Sequence, residues 1–208
     1  MLPALIASIA IAIPTSADVV LVRHFFSADA AGAYAAVSTL GKIVVFGPLA
    51  VSLALFPSLV REHARSTLRI STMLRVVAAT AAIAVPSAAL ILVAWAVAPG
   101  VILARYDVSF ALIATYLGAT VAFSLLVSLM YLALARRDIS TIAAVPIGLA
   151  LELALIVVWH PSTAAVALVL MAGNVALIAC VALRSATALS RTSISATQPA
   201  LSDERIAA

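Results

Sequence analysis

Residues 32–57, GAYAAVSTLGKIVVFGPLAVSLALFP, form an unbroken apolar run long enough to cross a bilayer, because a spanning helix takes about 20 residues. Lys42 lies well inside this run, and a Gly47-Pro48 pair sits at its middle. A charge at that depth costs about 3 kcal/mol even on lenient insertion scales, so intramembrane charges usually face a bundle interior or a wet cavity. Pro48 removes a backbone donor next to a glycine, which marks a kink. A charge beside a hinge is a transporter-like pairing; by itself it names no cargo.

Five further apolar runs surround this one. Hydrophobic residues make up 65% of the 208 positions and charged residues 10%, where a soluble domain has roughly 45–50% and about 25%. The sequence therefore predicts an all-α integral membrane protein, a bundle of six transmembrane helices, with spans at about 3–22, 32–59, 74–97, 110–135, 141–159 and 163–183. The bundle occupies residues 1–184. Residues 185–208 are rich in Ser, Thr and Ala, offer no apolar face, and are expected to form a disordered cytoplasmic tail. Besides Gly47 and Pro48, hinge candidates are Pro14, Pro86 and Pro146. A signal-peptide reading of the first run meets a missing basic leader segment.

Charge placement sets an orientation. With six spans, one side of the membrane receives Arg61, Arg65, Arg69, Arg75, Arg136, Arg137, Arg184 and Arg191, and the other only Arg23 and Arg105. Cytoplasmic loops collect Lys and Arg, so both termini are expected inside. Trp95 and Trp159 then fall near the outer interface, where amphipathic rings settle. The basic balance, with a pI near 9.8, is accounted for by these loops; no continuous basic face or recognition motif points to nucleic acid.

Depth can be read at about 1.5 Å per helical residue from the outer ends: Asp18 roughly 6 Å in, Glu152 roughly 10 Å, Lys42 roughly 15 Å and Asn174 roughly 16 Å. Four polar residues from four helices, all between the outer surface and the midplane, suggest one side of a hydrated cavity open to the outside. The alternative is a pair of structural salt bridges, Asp18 with Arg23 and Lys42 with Glu152. Ser124 and Ser128 share a helix face and read as helix-packing residues. His24, His63 and His160 have no second ligand at a metal spacing, so no metal is expected. There is no Walker loop, nucleophile elbow or catalytic carboxylate pair. The sequence thus gives no sign of an enzyme or of a cofactor. The single Cys180 reads as a small buried hydrophobe.

The stretch from Asp18 to Val60 has an Asp ending a helix, an Ala31-Gly32-x-Tyr34 connection, Leu40-Gly41-Lys42, and Phe56-Pro57 before a basic loop. In these elements the chain resembles the multidrug/oligosaccharidyl-lipid/polysaccharide exporter superfamily (MATE-like), in particular its bacterial polysaccharide-biosynthesis flippases. The later spans follow the pattern more loosely. The resemblance implies two six-helix lobes around a central cavity, through which lipid-linked oligosaccharide units pass from the cytoplasmic to the outer leaflet by alternating access. This chain is similar to the second lobe alone. A second lobe, on a separate chain or in a homodimer, is then the expected partner, beside membrane lipid and the lipid-linked glycan. A drug or cation antiporter lobe of the same fold, and a structural subunit or truncated remnant without a transport path, are the alternatives.

Overall fold

The computed structural model describes residues 9, 12–65, 70–98, 103 and 106–197. Six long helices make up the described chain: α1 (Pro14–Phe25), α2 (Ala28–Ala64), α3 (Ile70–Val97), α4 (Phe110–Ala135), α5 (Ile139–Val158) and α6 (Thr163–Thr197). The five from α2 to α6 are long and apolar enough to cross a membrane. The chain is a multi-pass helical membrane protein. Residues 3–8, 10 and 11 of the expected first span lie outside the described residues.

The helix termini gather at two ends of the bundle. Phe25, at the close of α1, stacks on His160 beyond α5 at 4.0 Å, and Trp95 near the close of α3 meets Phe110 at the start of α4 at 6.0 Å. This is the tryptophan end. The opposite, basic end carries Arg61, Arg75, Arg136 and Arg184, and there Leu59, Val76, Leu132 and Ala135 pack together. Helix starts are capped where the loops are polar: Ser27, Ser109 and Asp138 each accept a backbone N–H from the first turn. The α4–α5 turn is tight. Arg137 takes φ 55°, the left-handed region, and the Asp138 N–H reaches back to Ala133 O at 2.9 Å. Burial pushes the Asp138 carboxyl up, but hydrogen bonds from Ser140 and Thr141 and the nearby Arg136 outweigh it and hold the group below its usual range.

α4 is the axis of the bundle. Of its most apolar stretch 72% is buried, against 22–33% in the other four spans, and it packs on α2, α3, α5 and α6. A helix that is apolar all round sits in a core or in lipid; α4 does the first, and its neighbours turn outward faces such as Leu90, Leu151 and Val175 toward the bilayer.

Several helix ends fall three to five residues outside the expected spans, as at Phe25, Ala28 and Ile70, and two C-terminal ends depart furthest. α2 runs five residues past position 59, through Arg61 and His63, because hydropathy marks where a helix leaves the membrane and not where it ends. α6 likewise continues to Thr197, so residues 185–197, expected to be disordered, are helical. They contain neither Gly nor Pro, and Ala and Arg are good helix formers. Residues 198–208 lie outside the described residues. Among the hinge candidates, Pro14 opens α1, whereas Gly47 and Pro48, Pro86 and Pro146 sit inside helices that run through them unbroken.

Candidate functional site: a polar cavity in the tryptophan-end half

Asp18 is 1% exposed, and its carboxylate Oδ2 accepts hydrogen bonds from Tyr34 at 3.0 Å and Tyr116 at 2.9 Å. The Tyr116 oxygen also lies 2.9 Å from Ser38 Oγ. Having one proton, Tyr116 gives it to the carboxylate and takes the serine's. The two rings meet edge to face, 5.2 Å apart. A chain of four polar groups thereby ties α1 to α2 and α4.

Local sequence explains how it fits. Tyr34, Ser38 and Lys42 are four apart on α2, and Tyr116 and Thr120 are four apart on α4, so each set forms one stripe. Gly41 lets the stripes meet: a Cβ there would stand 2.6 Å from Tyr116 Cε1 and 2.8 Å from Thr120 Cγ2. Gly32 plays a similar part beneath Tyr106, where a Cβ would be 2.8 Å from the ring.

Beside this chain lies a cavity walled by five helices. Thr15 and Asp18 (α1), Lys42 (α2), Tyr116 and Thr120 (α4), Glu152 (α5) and Asn174 (α6) supply its polar lining, among apolar residues such as Phe46, Phe123 and Leu170. Its volume, about 50 Å³, holds a few water molecules. The structure therefore places Asp18, Lys42, Glu152 and Asn174 around one space. Three acceptor oxygens in it are buried without a partner: Asp18 Oδ1, Glu152 Oε1 and Asn174 Oδ1. Asn174 spends its amide Nδ2 on Leu170 O of its own helix, at 2.8 Å, which turns the carbonyl oxygen inward.

The pairings drawn from the sequence differ from those found. Among the described residues, no ion pair joins Asp18 to Arg23 or Lys42 to Glu152. Arg23 is exposed at the end of α1, while Asp18 faces inward to the tyrosines. Lys42, Asp18 and Glu152 instead share the cavity lining, with the two acids on helices that pack together, α1 and α5.

Sequence reasoning did not assign Tyr34, Tyr116 and Ser38 to the site. Their signal was present as spacing: the stripes at 34, 38, 42 and at 116, 120, 124, 128 put a polar atom on one face of each helix at every turn.

Compared with protein-family models, with curated proteins and with solved structures, the chain gives no match. Fold and site define it as a helical multi-pass membrane protein with a charged internal cavity.

Proposed function

We propose that this protein forms one lobe of a transporter that moves lipid-linked oligosaccharide or polysaccharide precursors across the bacterial cytoplasmic membrane by alternating access. It acts without catalysis, with both termini on the cytoplasmic side and a second six-helix lobe, on another chain or a second copy, facing the cavity. One observation carries the reading. Half-buried Lys42 shares a membrane-embedded cavity with Asn174, Asp18 and Glu152, and charges are retained in such places where an ion or a charged substrate passes. Lys42 and Asn174 would meet the phosphate or sugar of the cargo, for which an ammonium is a suitable point charge. Asp18 and Glu152 would set the cavity's charge and couple its cycle to protons or sodium.

The test is glycan export by the assembled transporter. Lys42→Ala abolishes export and Lys42→Arg keeps part of it; full activity in Lys42→Ala removes the cargo assignment. A second reading, a lobe of a drug or cation antiporter, is favoured by the three unpartnered oxygens, which attract donors and cations more than phosphate. Transport of cationic dyes, measured beside transport of lipid-linked glycan, separates the two.

A further inference from the structure

Glu152 has a second exposure besides the cavity. On the other side of its carboxylate, between α5 and α6, a groove opens on the bilayer-facing surface, and Glu152 is the residue that lines both. The groove is much the larger, about 430 Å³ against about 50 Å³. Its floor is made of small residues, Gly148, Ala172, Gly173 and Ala176, and its rim of exposed Leu151, Leu155 and Trp159. Gly173 keeps the carboxylate in place: a Cβ there would lie 2.7 Å from Glu152 Cδ and 2.9 Å from Oε1. Glu152 is 6% exposed, and its Oε1 has no hydrogen-bond partner.

We infer that this groove binds a single-chain amphiphile with a protonated amine head, the hydrocarbon lying along the groove and the ammonium on Glu152. Charge complementarity selects this occupant. A plain hydrocarbon chain fills the groove but leaves a buried carboxylate oxygen unpaired, which is costly. An anionic head brings only further acceptors to an oxygen that already lacks a donor. A hydrated metal ion finds only apolar walls on the way in. A chain ending in an ammonium satisfies both features, with a charge-assisted hydrogen bond at the floor. The site lies on the lipid side of Glu152, so it stands whether or not the cavity carries glycan.

Trp159 provides the readout, since it lines the same groove. In a Trp95→Phe background it is the remaining tryptophan. The purified chain in lipid nanodiscs, titrated with ω-bromododecylamine at neutral pH, should show saturable quenching of Trp159. The matching ω-bromododecanol should show only the linear quenching of bulk partition. Glu152→Gln, nearly the same shape, should weaken the amine's saturable binding by about tenfold or more. Ala176→Leu, at an exposed position, should fill the groove and remove it, with the chain's size on gel filtration unchanged. Equal quenching by amine and alcohol, or an unchanged Glu152→Gln titration, overturns the proposal. So does a loss of oligomer in Ala176→Leu, which would make the groove an interface between copies.

Discussion

α4 carries two polar layers that share a scaffold and differ in chemistry. Toward the tryptophan end, Tyr116 and Thr120 face the cavity with its charges and unpartnered oxygens. Toward the basic end, Ser128 belongs to a closed hydroxyl cluster, and Ser124, one turn away, bonds backbone carbonyls. Ser128 Oγ lies 2.8 Å from Ser52 Oγ and 2.7 Å from Thr80 Oγ1, and the three hydroxyls also reach backbone carbonyls of their own helices. The second layer joins α2, α3 and α4 with every hydroxyl partnered; the first joins α1, α2 and α4 and leaves acceptors over. Small neutral groups that satisfy one another hold helices together. Buried charge left partly unsatisfied is expensive and is kept where a ligand completes it. One layer has the composition of a fastener and the other that of a binding site.

The largest expected contrast is chemical accessibility. With Cys180→Ser removing the native thiol, which is exposed where the sequence reading has it buried, a cysteine at 42 should react with water-soluble thiol reagents, and a cysteine at 52 or 128 should not. The ratio of rates should be on the order of 100-fold, because a thiol buried in apolar surroundings is inert. Equal rates at 42 and 128 would erase the distinction between the layers.

Next in size is Asp18. Asp18→Leu removes the acceptor shared by Tyr34 and Tyr116 and should cost about 3–6 kcal/mol, given about 1.5–3 kcal/mol for each of two hydrogen bonds to a charged group. Asp18→Asn keeps one acceptor oxygen and should recover about half. Unfolding in a mixed-micelle denaturant titration measures both. A loss under about 1 kcal/mol in Asp18→Leu would mean the tyrosine bonds are incidental.

Gly41→Ala tests the packing beneath those bonds. Its Cβ would overlap the Tyr116 ring, and overpacking of this kind costs about 1–3 kcal/mol. In a Tyr116→Ala background most of the penalty should go, leaving the contact with Thr120 Cγ2, and a double-mutant cycle reads the difference directly. An equal penalty in both backgrounds would place the constraint on something other than that ring.

These residues also show how far the sequence reaches. The limits of α4 are the same in the sequence reading and the structure because membrane exit and helix end coincide there: Ser109 caps one end, and Arg136 and the left-handed Arg137 turn close the other. At Ala64 and Thr197 the two events separate, and hydropathy is silent about a helix that continues into a polar environment. Lys42, Asp18, Glu152 and Asn174 stood out from the sequence because polar groups are costly inside an apolar run. Tyr34 and Tyr116 did not, since tyrosine is ordinary at membrane interfaces. Pairing was the least legible part. Depth along an axis brings Lys42 near the level of Glu152, but rotation about each helix decides which groups meet. That rotation is fixed by contacts such as Gly41 against Tyr116, which only a packed bundle displays.

The smallest effect is the most diagnostic of the fastening layer. Pro48 lacks an N–H, so the carbonyl of Val44, one turn earlier in α2, has no helical donor. Ser124 Oγ of α4 lies 3.3 Å from that oxygen and 2.8 Å from Thr120 O, sharing its proton between them. The neighbouring helix thus supplies part of what the proline removed, as helices in a membrane must. Ser124→Ala should cost about 0.6 kcal/mol, the usual size of an interhelical hydrogen bond in a bilayer. In a Pro48→Ala background the restored N–H takes over the Val44 carbonyl, and the same Ser124→Ala change should cost nothing measurable. If the serine counts equally with and without the proline, its hydroxyl serves its own helix alone, and the closed layer holds α2 only through Ser52 and Ser128.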